Sequence, residues 1–183
     1  MVAMDNGPHL VRTQRGELYR FMKSEHERLD QLLAQAIERA GAGDNPAYEN
    51  FRERLLRHIR IEERILLPMA QDRRGGEPLT IAPRLRLDHG ALAALLMLPP
   101  VDHTFRAIRA VLDAHNPLEE NESGVYEQCE QLAGSDAGAL LERARATLRI
   151  PVSRWVDSAK VVASARRVLV RAGYDPALLG PDK

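Results

Sequence analysis

Residues 51–69 read FRERLLRHIRIEERILLPM. Phe51, Leu55, His58, Glu62, Ile65 and Met69 recur at alternating spacings of four and three residues. That is the seam of a helix burying one stripe against its neighbours. The seam is apolar at both ends and polar in the middle, where His58 and Glu62 stand four residues apart. Residues i and i+4 share one helix face with Cβ atoms about 6 Å apart. One imidazole and one carboxylate therefore aim at the same point inside a core.

Working outward, the same period runs over residues 16–40 and is broken by GAGDNP at 41–46. The quoted stretch belongs to a helix over 47–72. A loop rich in Gly and Pro spans 73–83, and a third helix ends before Pro99-Pro100. A fourth starts near 101 and reaches toward 132, interrupted by Pro117 and Gly124. After Gly134-Ser135-Asp136, helices are predicted over 136–149 and 153–172, split by Pro151. No stretch alternates as a strand does. Short loops between four helices imply antiparallel neighbours. The expected architecture is all-α: a tail over 1–15, an up-down antiparallel four-helix bundle over 16–133, and a two-helix extension over 134–183.

Composition narrows the function. The 183 residues carry 26 Lys+Arg and 26 Asp+Glu, a formal net charge of zero, which argues against a nucleic-acid partner held by bulk charge. Cys129 is the only cysteine, so neither an intrachain disulfide nor a Cys-rich zinc site forms. No apolar run approaches the ~20 residues of a membrane span and no signal-peptide core is evident. No membrane association and a cytoplasmic location are expected. Eight residues are aromatic, so the core must come from Leu, Val, Ile and Ala.

The other seams repeat the pattern. Helix one offers Tyr19, Met22, His26, Leu29 and Leu33; helix three Leu85, His89, Leu92 and Leu96; helix four Phe105, Ile108, Leu112, His115, Glu119, Glu122 and Tyr126. Folding the chain back at each loop levels the histidines. Positions 26 and 58 are symmetric about the GAGDNP turn, 58 and 89 about the 73–83 loop, and 89 and 115 about a point just past Pro100. His26, His58, His89 and His115 then fall in one layer with Glu62 and Glu119. A buried His–Glu hydrogen-bond network is the structural alternative. However, two carboxylates with no Lys or Arg on the seams would each cost roughly 3–5 kcal/mol, and a cation accounts for all six residues at once. Imidazole with carboxylate and no thiolate suits iron, with zinc or manganese as alternatives. His9 in the tail and His103 off the seam are bystanders. No Ser-His-Asp pattern or Gly-rich phosphate loop is present.

These motifs resemble the hemerythrin family, specifically its HHE cation-binding domains, over residues 16–132. A His on helix one (SEHERLD, His26) precedes H-x-x-x-E-E on helix two (His58, Glu62). A His on helix three (LDHGALAALL, His89) precedes H-x-x-x-E-E on helix four (HNPLEENESGVY, His115, Glu119). The resemblance implies a non-heme di-iron centre with Glu62 and Glu119 as bridging carboxylates. It implies roles in oxygen binding, in sensing oxygen or iron, or in reactions with peroxide or nitric oxide. Oxygen carriers of the family have a second His where this chain has Ala93, and an Asp at the spacing where Glu120 stands. Some HHE domains carry a Glu where this chain has Ile59. A site poorer in histidine, with positions left for water or for Glu25, Glu120 or Glu122, points to a sensor or redox protein rather than an oxygen store. If Pro117 ends helix four, Glu119 falls in a loop.

Residues 134–183 carry nine basic and five acidic side chains. They are expected to pack on the bundle through Leu140, Leu141, Leu148, Trp155, Val156, Val162 and Leu169. A homodimer or protein-partner contact through these helices is the functional alternative. For the whole chain the alternatives to a di-iron protein are a helical interaction scaffold with a structural metal or none, and iron storage or detoxification.

Overall fold

The computed structural model describes residues 15–180. Helix α1 (Glu17–Ile37) starts at Gly16, which has no capping side chain. Glu130, far along the chain, substitutes: its carboxylate accepts the Tyr19 amide at 2.8 Å and occupies the space a side chain on residue 16 would need. Helix α2 (Pro46–Ile61) is capped by Asn45, whose side chain accepts the Tyr48 amide at 3.0 Å, with Pro46 opening the first turn. Such a cap contributes about 1 kcal/mol. The same side-chain amide donates to the Ala36 carbonyl at 2.8 Å, tying the end of α1 to the start of α2.

Helix α2 continues through one π turn (Glu62–Leu66) into α3 (Leu67–Arg73). The predicted helix over 47–72 is thus one rod with a single widened turn. Helices α4 (Ala82–Leu95) and α5 (Asp102–Glu120) complete the bundle. Helix α5 runs through Pro117, so Glu119 is helical and buried, and the Tyr19 hydroxyl donates to the Glu120 carbonyl at its end.

The predicted reach of helix four to 132 is resolved as two helices. The chain turns at 121–124 and α6 (Val125–Ala133) follows. Gly124 is needed there: a Cβ would lie 2.6 Å from the Glu119 carbonyl oxygen and 2.7 Å from that of Asn121.

Helices α7 (Ala137–Arg145) and α8 (Ala159–Arg171) form the extension. Both are shorter than predicted. Residues 148–158 are non-helical and carry Trp155 against the core, held by the Val156 amide on the Met97 carbonyl at 2.9 Å. Helix α8 begins only after Ser158 caps it. Leu148 is 79% exposed and Val156 40%, so these two do not pack as expected, whereas Leu140, Leu141 and Leu169 do. Arg57 on α2 closes the end of α7, donating to the Ala144, Arg145 and Thr147 carbonyls. No strand occurs among the described residues.

The core is divided. One apolar cluster gathers Leu29, Leu33, Phe51, Leu55, Leu92 and Ile108 with Leu169 of α8; the other gathers Tyr19, Met22, Ile61, Leu85, Tyr126 and Leu140. Between them lies a buried polar layer.

Candidate metal centre

The layer is made of His26 on α1, His58 on the last turn of α2, Glu62 opening the π turn, His89 on α4, and His115 and Glu119 on α5. None is more than 4% exposed. The structure brings all six sequence-nominated residues together. His103, on the first turn of α5, lines a separate cleft with Val162 and Leu179. His9 lies outside the described residues.

The donor atoms form two groups of four that share both glutamates: His26, His58, Glu62 and Glu119, and Glu62, His89, His115 and Glu119. Within each group the atoms lie within 4.8 Å of one another. On one side His26 Nε2 is 2.8 Å from His58 Nε2 and 3.4 Å from a Glu119 oxygen, and His58 Nε2 is 3.0 Å from Glu62 Oε1. On the other, His89 Nε2 is 3.2 Å from Glu62 Oε2 and His115 Nε2 is 3.3 Å from Glu119 Oε2. The imidazoles are paired across the glutamates, with ring centroids 4.6 Å apart for His26–His58 and 4.9 Å for His89–His115.

Three of the four histidines are backed by a carboxylate on the far ring nitrogen. His26 Nδ1 meets Glu120 at 2.6 Å, His89 Nδ1 meets Glu63 at 2.8 Å, and His115 Nδ1 faces Asp88 at 3.4 Å. A carboxylate on Nδ1 keeps the proton there and turns the Nε2 lone pair into the site, as in the carboxylate–histidine–metal pattern. The π turn makes one of these pairs, because the widened turn lets the consecutive Glu62 and Glu63 both reach His89. Of the other carboxylates considered from sequence, Glu25 is engaged by Arg54 at 2.6 Å and Arg57 at 2.8 Å, and Glu122 is exposed in the turn after α5.

Burial alone would lower the histidine pKa values. The charges and hydrogen bonds of the carboxylates outweigh it: Glu119 and Glu120 hold His26 up at about 9, Glu62 and Glu63 hold His89 at about 9, and Glu119 with Asp88 holds His115 at about 10. Burial likewise pushes Glu62 upward, but the positive charges of His58 and His89 beside it keep it well below the usual carboxylate range. Without a cation, protons on the imidazoles supply the positive charge that the glutamates require.

Protons do not satisfy every atom. His89 Nε2, Glu62 Oε2 and Glu119 Oε1 are buried without a hydrogen-bond partner, although His89 Nε2 and Glu62 Oε2 stand only 3.2 Å apart. Each orphaned polar atom costs about 1–3 kcal/mol. Converging donors that do not bond one another fit a cation between them, and the nitrogen and oxygen set suits iron, manganese or zinc.

A family model, the hemerythrin HHE cation binding domain, matches residues 17–124. The chain belongs to the hemerythrin HHE family. No curated protein and no solved structure matches it. The HHE match and the buried His/Glu cluster together point to a metal-binding site.

Four further residues, two of them beyond the HHE match, serve this polar layer without a motif that marks them. Asp88 and Glu63 adjoin nominated residues in the chain, and that adjacency was the available signal. Tyr174, from the segment after α8, donates to Asp88 Oδ1 at 2.8 Å while Arg84 pairs with the same oxygen. Tyr126 falls on the helix-four seam, where the periodicity predicts ordinary core. Its hydroxyl lies 2.6 Å from Glu62 Oε1, 2.9 Å from Glu119 Oε2, 3.0 Å from His26 Nε2 and 3.2 Å from His58 Nε2. Cys129, one turn further on α6, is fully buried, and burial pushes its thiol up to about 12, which leaves no reactive thiolate at neutral pH.

Proposed function

We propose that the chain is a non-heme di-iron protein that binds or reacts with a small ligand, dioxygen, peroxide or nitric oxide, as a cytoplasmic sensor or redox protein. The supporting observation is the sharing of Glu62 and Glu119 by both four-residue groups. In this reading His26 and His58 would hold one ion, His89 and His115 the other, and the two glutamates common to both groups would serve both. Two irons would supply one-electron redox chemistry and an open coordination position. The chain's part is to keep that position small. His26, His58 and His115, with Leu29, Leu55, Leu92 and Leu112, line a chamber of about 10 Å³. That volume suits one water-sized molecule, so the chamber favours a diatomic or peroxide over an organic substrate. Its lining is mainly apolar, with Asp30 and Asn116 as the other polar members, and the carboxylates on Nδ1 of His26, His89 and His115 hold the rings in place.

The position four residues after His89 is Ala93, so the second group has two histidines and no third. Fewer nitrogen donors favour an oxidised centre, which supports sensing or redox turnover over reversible oxygen carriage. The test is metal content with an optical spectrum after anaerobic Fe(II) loading and exposure to air. About two irons per chain with ferric absorption is expected. A chain that takes up no iron refutes the reading. Mixing the ferrous protein with dioxygen and then purging separates the roles, since a spectrum that purging restores would mean carriage.

A further inference from the structure

One hydroxyl in the polar layer has more neighbours than it can bond. Tyr126 Oη lies between 2.6 and 3.2 Å from four donor atoms, on His26, His58, Glu62 and Glu119. A phenol donates one hydrogen and accepts about two. Two of the four neighbours are carboxylate oxygens, which only accept when ionised, so a single phenolic proton leaves one of them facing the lone pairs of Oη. The arrangement is poor as a hydrogen-bond cluster.

It is good as a coordination shell. Around a six-coordinate ion with bonds of about 2.1 Å, each ligand atom has four cis neighbours at about 3 Å. Tyr126 Oη has four such neighbours at these separations. The other four atoms are themselves spaced at 2.8 Å (His26–His58), 3.0 Å (His58–Glu62) and 3.4 Å (His26–Glu119). They make three sides of a base over which Oη is the apex. Tyr126 does not line the chamber that reaches His26 and His58, so it leaves that approach free.

We propose that Tyr126 Oη is a ligand of the ion held by His26, His58, Glu62 and Glu119, an inference that rests on the di-iron reading above. Coordination forms one metal–oxygen bond, breaks the Oη–H bond and releases that proton to solvent. The side chain is delivered rigidly. It is 1% exposed, packs edge-on against Tyr19 with centroids 6.3 Å apart, and sits in the first turn of α6 immediately after the tight turn that only Gly124 allows. The HHE match ends at residue 124, so this ligand comes from the part of the chain beyond it. A tyrosinate is a hard, anionic oxygen donor and an established ligand of iron. It makes the two ions unequal, one with tyrosinate and one without. It favours the ferric state at the first, and it selects iron over zinc at that position.

The experiment is resonance Raman and visible absorption of iron-loaded, air-oxidised protein, with iron counted per chain. The wild type is expected to show a visible tyrosinate-to-ferric charge-transfer band whose enhanced ring modes shift when ring-deuterated tyrosine is incorporated. Y126F should lose the band and keep its iron, while Y19F should keep both. The chain has four tyrosines, so a Y19F/Y48F/Y174F variant isolates Tyr126 without removing it; it should retain the ring modes even where Y126F fails to fold. Iron-loaded wild type without tyrosinate modes, or modes that survive in Y126F, would overturn the assignment of Tyr126 alone. Failure to take up iron at all would overturn the di-iron reading beneath it.

Discussion

Loading the centre with metal should expel protons, and the number follows from the electrostatics of the layer. In the metal-free protein His26 and His89 titrate at about 9 and His115 at about 10, so all three are protonated at neutral pH. Nε2 cannot hold both a proton and a metal. Filling both groups at about pH 7 should release about three protons per chain from these imidazoles, and one more if Tyr126 coordinates. The combined affinity for two ions should then rise with pH by up to about a thousandfold per unit near pH 7 from the three imidazoles, less steeply above about 9 and with that contribution gone above about 10, and by about a further tenfold per unit throughout if Tyr126 coordinates. The metal-free protein should behave oppositely. An unfolded histidine titrates near 6.5, and a group with a raised folded-state pKa contributes stability fully below its unfolded value and loses it as pH rises through the folded one. Metal-free Tm should therefore fall from about pH 6.5 toward 10 while the metal-loaded Tm holds or rises. Calorimetric titration of Fe(II) or Zn(II) in buffers of different ionisation enthalpy counts the protons, and thermal scans with and without chelator give the two pH profiles. Release of fewer than one proton per chain, or parallel profiles for the two forms, would refute the view that protons stand in for the cations.

Three further outcomes are expected. His58→Ala should lose at least one of two irons and the metal-dependent part of Tm, whereas His103→Ala, in a separate cleft, should lose neither; equal iron content in the two variants would disprove the ligand assignment. Asp88→Asn should weaken metal binding about 10- to 100-fold in a chelator-competition assay by loosening His115, and Tyr174→Phe, which removes the hydroxyl that Asp88 and Arg84 share, should show a smaller loss in the same direction; unchanged affinity in both would mean that the 3.4 Å Asp88–His115 contact does not orient the ring. Gly124→Ala should cost about 1–3 kcal/mol by denaturant titration, because the new Cβ meets the Glu119 and Asn121 carbonyls, and it should also displace Tyr126; a variant with wild-type stability and spectrum would show that the turn has room to spare.

What could be read without coordinates was whatever depends on short range. The i, i+4 spacing puts His58 with Glu62 and His115 with Glu119 on common faces whatever the rest of the chain does. Short loops constrain antiparallel rods so tightly that counting back from each turn levels His26, His58, His89 and His115, and the structure brings them together. The four-helix, all-α architecture follows from the same periodicity. Predicted ends were less secure: Pro151 marks a break, but nothing local shows that it extends over 148–158, because that strap is held by Trp155 in the core and by a backbone bond to Met97.

Tertiary structure decided which polar neighbours serve the site and which do not. Glu25 and Glu120 looked equivalent as spare carboxylates, yet Glu25 faces two arginines of α2 and Glu120 faces His26. Pro117 looked like a helix end, but the lost backbone bond does not stop α5 when Glu119 is buried and bonded by Tyr126. Tyr126 itself has no local signature: on a heptad seam a tyrosine is ordinary core. Its hydroxyl reaches four donor atoms only because the chain reverses within 121–124, a turn whose closeness depends on a missing side chain at Gly124 meeting carbonyls of the preceding helix. Periodicity specifies which face of a helix is buried, but where a long side chain's last atom falls is set by the packing of elements that sequence spacing does not relate.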